Sequence, residues 1–138
     1  MRYVFDASFV GAQIIPNEKD QQVENLYNAI KYDDEKYAPQ LLWYEIANIF
    51  YNLCRRKRYF FDEIERFFPL LADMRLQCDA ETGSEYSRRL LRLCHEYDLS
   101  SYDAAYLELA ERKKAVLCSL DKGLRAAAKK HGIPLIRV

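Results

Sequence analysis

At 138 residues, with 50% hydrophobic and 30% charged residues and only 4 Gly and 4 Pro, the chain reads as one folded domain over residues 1–138, not as a disordered, collagen-like or low-complexity protein. No apolar run approaches the roughly 18–20 residues that span a bilayer, and Asp6 interrupts the apolar N-terminal stretch; no signal peptide, no membrane contact and a cytoplasmic location are the expectation. The charges balance, 21 Lys plus Arg against 21 Asp plus Glu, so any contact with nucleic acid must come from local patches.

In chain order, Arg2-Tyr3-Val4-Phe5-Asp6 reads as a short strand ending in an acid. Helical periodicity follows over Glu18–Lys31, Leu41–Arg58, Phe61–Met74, Ser84–Tyr97 and Tyr102–Lys113. Weaker extended pieces fall at Lys36–Ala38, Arg75–Cys78 and Leu135–Arg137. The second strong strand, Ala115–Leu120, also ends at an aspartate, Asp121, and leads into a helix over Lys122–His131. Strands separated by helices, with connections too long for hairpins, predict a three-layer α/β/α domain around a small, mostly parallel sheet. Cys54, Cys78, Cys94 and Cys118 are far apart with no CxxC pattern, and the only histidines are His95 and His131. Zinc and thiol redox chemistry therefore lack support, and buried free thiols are expected.

In open parallel sheets, ligands bind beyond the carboxyl ends of the strands, where Asp6 and Asp121 both fall. Each is equally a residue type that caps a following helix. Glu45 lies on the apolar face defined by Leu42, Ile46, Ile49 and Leu53. A carboxylate there must meet an arginine, a proton or a metal, because burying an unpaired charge costs several kcal/mol, roughly. Asp103 sits in the first turn of its helix, a position that the helix dipole alone favours. Should the four acids converge, their repulsion calls for counter-charge, and hard oxygen ligands suit Mg²⁺ or Mn²⁺. Such an ion activates water for in-line displacement at a phosphoryl group. Ser8 and Ser119, two residues from Asp6 and Asp121, are placed to bond a carboxylate or a phosphate oxygen, or only a local turn.

Four blocks together resemble the PIN-domain ribonucleases, and among them the VapC-type toxins of toxin–antitoxin pairs. They are Val4-Phe5-Asp6-Ala7-Ser8, Glu45-Ile46-Ala47-Asn48, Ser101–Ala110 (SYDAAYLELA), and Ser119-Leu120-Asp121 followed by Leu124 and Ala127. The resemblance implies a Mg²⁺- or Mn²⁺-dependent endoribonuclease site built from Asp6, Glu45, Asp103 and Asp121, supported by Ser8, Asn48 and Ser119. It also implies RNA as substrate, 5′-phosphate and 3′-hydroxyl products, homodimerisation, and inhibition by a cognate antitoxin. Ser119 stands where the family often has threonine, which keeps the hydroxyl. The alternative is a non-catalytic PIN-like scaffold that binds protein or RNA.

Arg55 and Arg56, in the one dense basic run, and Lys122 and Arg125, on the last helix, are candidate RNA contacts; solvated cations at helix ends are the plainer reading. Tyr59, Phe60, Phe61, Phe67 and Phe68 form either a partner anchor or part of the core. Aspartyl phosphotransferases need a second acid two residues after the first, and Ser8 occupies that position. Glycine-rich nucleotide loops cannot be assembled from Gly11, Gly83, Gly123 and Gly132.

Overall fold

The computed structural model describes residues 1–18 and 20–138. Strand β1 (Arg2–Phe5) lies in the interior of a four-stranded sheet. It pairs in parallel with β2 (Glu35–Ala38) on one side and with β4 (Val116–Cys118) on the other, while β3 (Gln77–Cys78) adds a parallel edge outside β2. Val4, Phe5, Leu117 and Cys118 are wholly buried, as befits strands covered on both faces. The register sets Phe5 opposite Cys118, so the next residues along, Asp6 and Ser119, emerge together at the carboxyl edge. This is the α/β/α arrangement expected from the sequence.

Helix α1 (Ala7–Ile14) follows β1 without a loop and is absent from the expected helices. The reason is its surroundings: Phe9, Val10, Ala12 and Ile14 are all buried, so the segment is apolar on nearly every side and carries no amphipathic period. A single 3₁₀ turn (Pro16–Glu18) precedes α2 (Gln21–Ala29), which begins where Asp20 accepts bonds from the Gln22 and Val23 amides. The expected helix Glu18–Lys31 also included Lys19, which lies outside the described residues. Helix α3 (Leu41–Arg55) buries Leu42, Ile46, Phe50 and Leu53.

The single helix expected over Phe61–Met74 is instead two, α4 (Phe61–Glu65) and α5 (Phe67–Asp73), broken at Arg66. Pro69 accounts for the break: it has no N–H to offer the Glu65 carbonyl four residues back, and its ring would clash there, so the helix restarts with Pro69 in its first turn. Helices α6 (Ser84–Tyr97) and α7 (Ser101–Lys113) pack together, joined by Asp98 in the left-handed region (φ 54°) and by Ser100, the N-cap of α7. Helix α8 (Lys122–His131) ends at Gly132, whose φ of 82° suits glycine. Beyond it, Leu135 makes one parallel bridge to Leu117 rather than a full strand.

Only Cys118 among the cysteines is buried; Cys54 and Cys94 are half-buried and Cys78 is exposed, which corrects the expectation of four buried thiols. Cys78 is exposed because β3 is a two-residue edge strand with both residues facing solvent. Among the described residues no helix is long and apolar enough to cross a membrane.

Candidate active site

Asp6 sits where β1 gives way to α1 and is only 4% exposed. Its Oδ1 accepts from the Phe9 amide at 2.9 Å and from the Ser8 hydroxyl at 2.7 Å, and its Oδ2 accepts from the Ser119 hydroxyl. Both hydroxyls also accept at the end of β4: Ser8 Oγ from the Leu120 amide at 2.9 Å across the strands, and Ser119 Oγ locally from the Asp121 amide at 3.0 Å. The two hydroxyls thus lace the ends of β1 and β4 together around one buried carboxylate, beyond the local bonds their spacing alone would suggest. Asp121 caps α8, its Oδ1 accepting from the Leu124 amide at 2.7 Å, while its Oδ2 has no partner among the described residues. Asp6 and Asp121 each cap the following helix and each stand at the carboxyl edge of the sheet, so the capping role leaves that position open to a ligand.

Glu45 enters from α3 and Asp103 from the first turn of α7, where Ser100 Oγ accepts from the Asp103 amide at 3.2 Å. The Glu45 carboxylate accepts from the Tyr106 hydroxyl at 2.5 Å. Tyr106 is 2% exposed and was not among the expected site residues. Its signal was its place one helical turn after Asp103, which by itself equally describes a core aromatic.

The four acids influence one another in pairs across the carboxyl edge of the sheet. Burial raises the Asp6 carboxyl above the usual range, hydrogen bonds from Ser119, Ser8 and the Phe9 amide oppose the rise, and the Asp121 charge adds to it. Burial also raises Glu45, against the Tyr106 bond and with the charges of Asp6 and Asp103. Asp103 is raised by burial and then by Asp121. Among the described residues none of the four forms an ion pair with Lys, Arg or His.

A set of hard oxygen donors without counter-charge fits a divalent cation such as Mg²⁺ or Mn²⁺. Among the described residues no three His, Cys, Asp or Glu side chains are gathered into a ready-made cage. Mg²⁺ does not need one, since it keeps several waters and takes one or two carboxylates directly.

The remaining expected residues divide by position. Asn48 is exposed, one turn beyond Glu45, and has no hydrogen bond to the four acids. Lys122 is exposed at the first position of α8, where a cation opposes the helix dipole, and it has no ion pair among the described residues. Arg125 is different: its Nη1 donates to the Ser119 and Ile136 carbonyls, both at 3.0 Å, which ties the C-terminal segment to the end of β4. That nitrogen serves the fold, and a phosphate contact would fall to the rest of the guanidinium. Arg55 bonds Asn52 at 3.1 Å, and with Arg56 it lies about 15 Å along α3 from Glu45, away from the carboxylates.

The PIN domain family model matches residues 3–136. The chain belongs to the PIN-domain family. This PIN domain is 29% identical over 124 residues to ribonuclease VapC3 of Pyrobaculum aerophilum, which covers 90% of this chain and 92% of that protein. The crystal structure of PAE2754 from the same organism superposes with a TM-score of 0.72 at 23% identity, covering 99% of this chain and 84% of that one. A toxin–antitoxin complex from Klebsiella pneumoniae superposes with a TM-score of 0.60 at 14% identity, covering 86% of each chain. These likenesses place the carboxyl edge of the sheet within a known fold; what it does here follows from its own residues.

Proposed function

We propose that this PIN domain is a cytoplasmic, Mg²⁺- or Mn²⁺-dependent endoribonuclease and the toxin of a toxin–antitoxin pair. The observation that carries the reading is the mutual influence of Asp6, Glu45, Asp103 and Asp121 at one sheet edge with no cation paired to them among the described residues. The named relative is a ribonuclease and one structural neighbour is a toxin–antitoxin complex, which supports the substrate and partner classes.

Asp6, Asp103 and Asp121 would hold the ion, directly or through water. A divalent ion bound there activates water and offsets charge developing on the phosphoryl oxygens. Asp6 is held rigidly by three hydrogen bonds, so the site is organised before substrate arrives. Glu45 has one oxygen fixed by Tyr106, and burial raises its carboxyl above the usual value, which makes its other oxygen a stronger base toward attacking water. In-line attack by water leaves a 5′-phosphate and a 3′-hydroxyl. Lys122 is the cation best placed to meet an RNA phosphate.

Phe60, Phe61 and Phe68 are 81%, 64% and 46% exposed, and with Tyr51 they form an apolar surface over α3, α4 and α5 that suits an antitoxin or a second copy. Phe67, at 6%, belongs to the core, where it packs edge-on against Phe50 and Tyr59.

Mapping new 5′-phosphate RNA ends across the transcriptome after brief induction in the native host tests the reading. Discrete ends made by the wild type and absent with Asp103→Asn at equal protein level are expected. Identical maps with free protein present would overturn it.

A further inference from the structure

A cleft of about 340 Å³ opens between the start of α3, the start of α7 and the segment leading from β3 into α6. None of the four acids lines it, but two of its walls belong to the helices that carry Glu45 and Asp103. Leu41, in its wall, precedes Glu45 by one helical turn and shares its face, while Tyr102 and Ala105 belong to the turn of α7 that carries Asp103 but lie on another face of it. The Tyr106–Glu45 hydrogen bond, beginning at the residue after Ala105, clamps these two walls together.

The lining has an unusual make-up for a surface cleft. Tyr44, Tyr86 and Tyr102 all contribute to it, and Tyr44 and Tyr102 are 75% and 65% exposed. Among the described residues no Lys, Arg or His lines it, so it is not built to hold a phosphate. Its two carboxylates are already engaged: Asp79 with both Nη atoms of Arg112, at 3.0 and 2.6 Å, and Glu81 with Arg89 at 2.5 Å. Gln40, Thr82 and Ser101 have side chains that make no hydrogen bond with any described residue. Aromatic faces beside neutral donors and acceptors, without a cation, match the needs of an unstacked nucleobase, which stacks on rings and pairs through its edges. The volume lies at the small end of the range for small-molecule sites, about 300–1,000 Å³.

We propose that this cleft receives one unstacked base of single-stranded RNA next to the phosphate being cleaved, stacked against Tyr44 and Tyr102, with Gln40, Thr82 and Ser101 contacting its edge. This rests on the ribonuclease reading and adds to it a place where sequence preference is read. The carboxylates act on a phosphate common to every nucleotide, whereas the cleft meets the part that differs.

Fluorescence anisotropy in EDTA, where cleavage is blocked, tests this with four homopolymeric RNA decamers and an abasic decamer. Wild-type protein should bind at least one base-bearing decamer more tightly than the abasic strand. Tyr44→Ala and Tyr102→Ala should each raise that Kd by about tenfold, and Tyr44→Phe and Tyr102→Phe, which keep the ring, should stay near wild type. Both side chains are exposed, so the alanine variants should keep the wild-type circular dichroism and melting temperature. The proposal is overturned if the wild type does not distinguish bases from the abasic strand. It is also overturned if the alanine variants bind as the wild type does, or if their loss accompanies a fall in molar mass by light scattering, which would make the face a contact between copies. Cleavage judged by 5′-end mapping is independent of these outcomes, so failure of the cleft and failure of the ribonuclease reading are distinguishable.

Discussion

Ser119 shows how much a single hydroxyl carries at this site. It is wholly buried, donates to Asp6 and accepts from the Asp121 amide, so Ser119→Ala leaves a buried carboxylate oxygen and an amide without partners. The expected cost is about 1–3 kcal/mol, read as a lower urea midpoint with an unchanged m-value. Asp103→Asn should behave oppositely. It removes a charge that burial and Asp121 disfavour, so the melting temperature of the metal-free protein should hold or rise while cleavage falls at least about 100-fold. A fall in both would recast Asp103 as a structural acid. The sequence exposed the four acids because two of them end strands, one interrupts an apolar helical face and one stands in the first turn of a helix. It could not expose the reciprocal Ser8 and Ser119 bonds or the Tyr106–Glu45 pair, which depend on residues brought together across 61 to 113 positions.

At the scale of elements, legibility followed amphipathicity. Helices α3, α6 and α7 alternate polar and apolar faces or carry a capping serine, and their positions were predictable to within a few residues. Helix α1, buried nearly all round, offered no such period, and Pro69 divided what looked like one helix between α4 and α5. A second hidden feature joins α6, α7 and the end of β3. Glu108, 4% exposed, accepts from Arg112 at 2.8 Å and from Arg89 at 3.3 Å, and these arginines also hold Asp79 and Glu81. Glu108 lies within the SYDAAYLELA block, yet it braces the fold instead of joining the site. Arg112→Met should cost about 3 kcal/mol in equilibrium unfolding, since it strips Glu108 and Asp79 of their main partner. A loss below about 0.5 kcal/mol would show that Arg89 alone satisfies Glu108.

For the whole molecule, the acidic edge makes stability and ion binding depend on pH in a defined direction. The carboxyls of Asp6, Glu45 and Asp103 are raised above their unfolded values, so at these three groups the folded protein holds more protons than the unfolded chain from about pH 4 upward. The stability these groups contribute is therefore complete below about pH 4 and is lost as pH rises through their folded values. Asp79, lowered by Arg112, acts in the other sense and loses its contribution as pH falls. Comparing wild type with Glu45→Gln separates the two: in EDTA the wild-type urea midpoint should fall more than that of the variant as pH rises above the unfolded glutamate value of about 4.3. Equal slopes would mean that Glu45 is not strained by its neighbours.

Calorimetric titration of the metal-free protein with Mn²⁺ at neutral pH tests the central claim most directly. The account predicts saturable binding to the wild type, weakened at least about tenfold in Asp103→Asn, with proton release as pH is lowered toward the raised carboxyl values. Equal Mn²⁺ affinity in wild type and Asp103→Asn, or no binding to either, would contradict it.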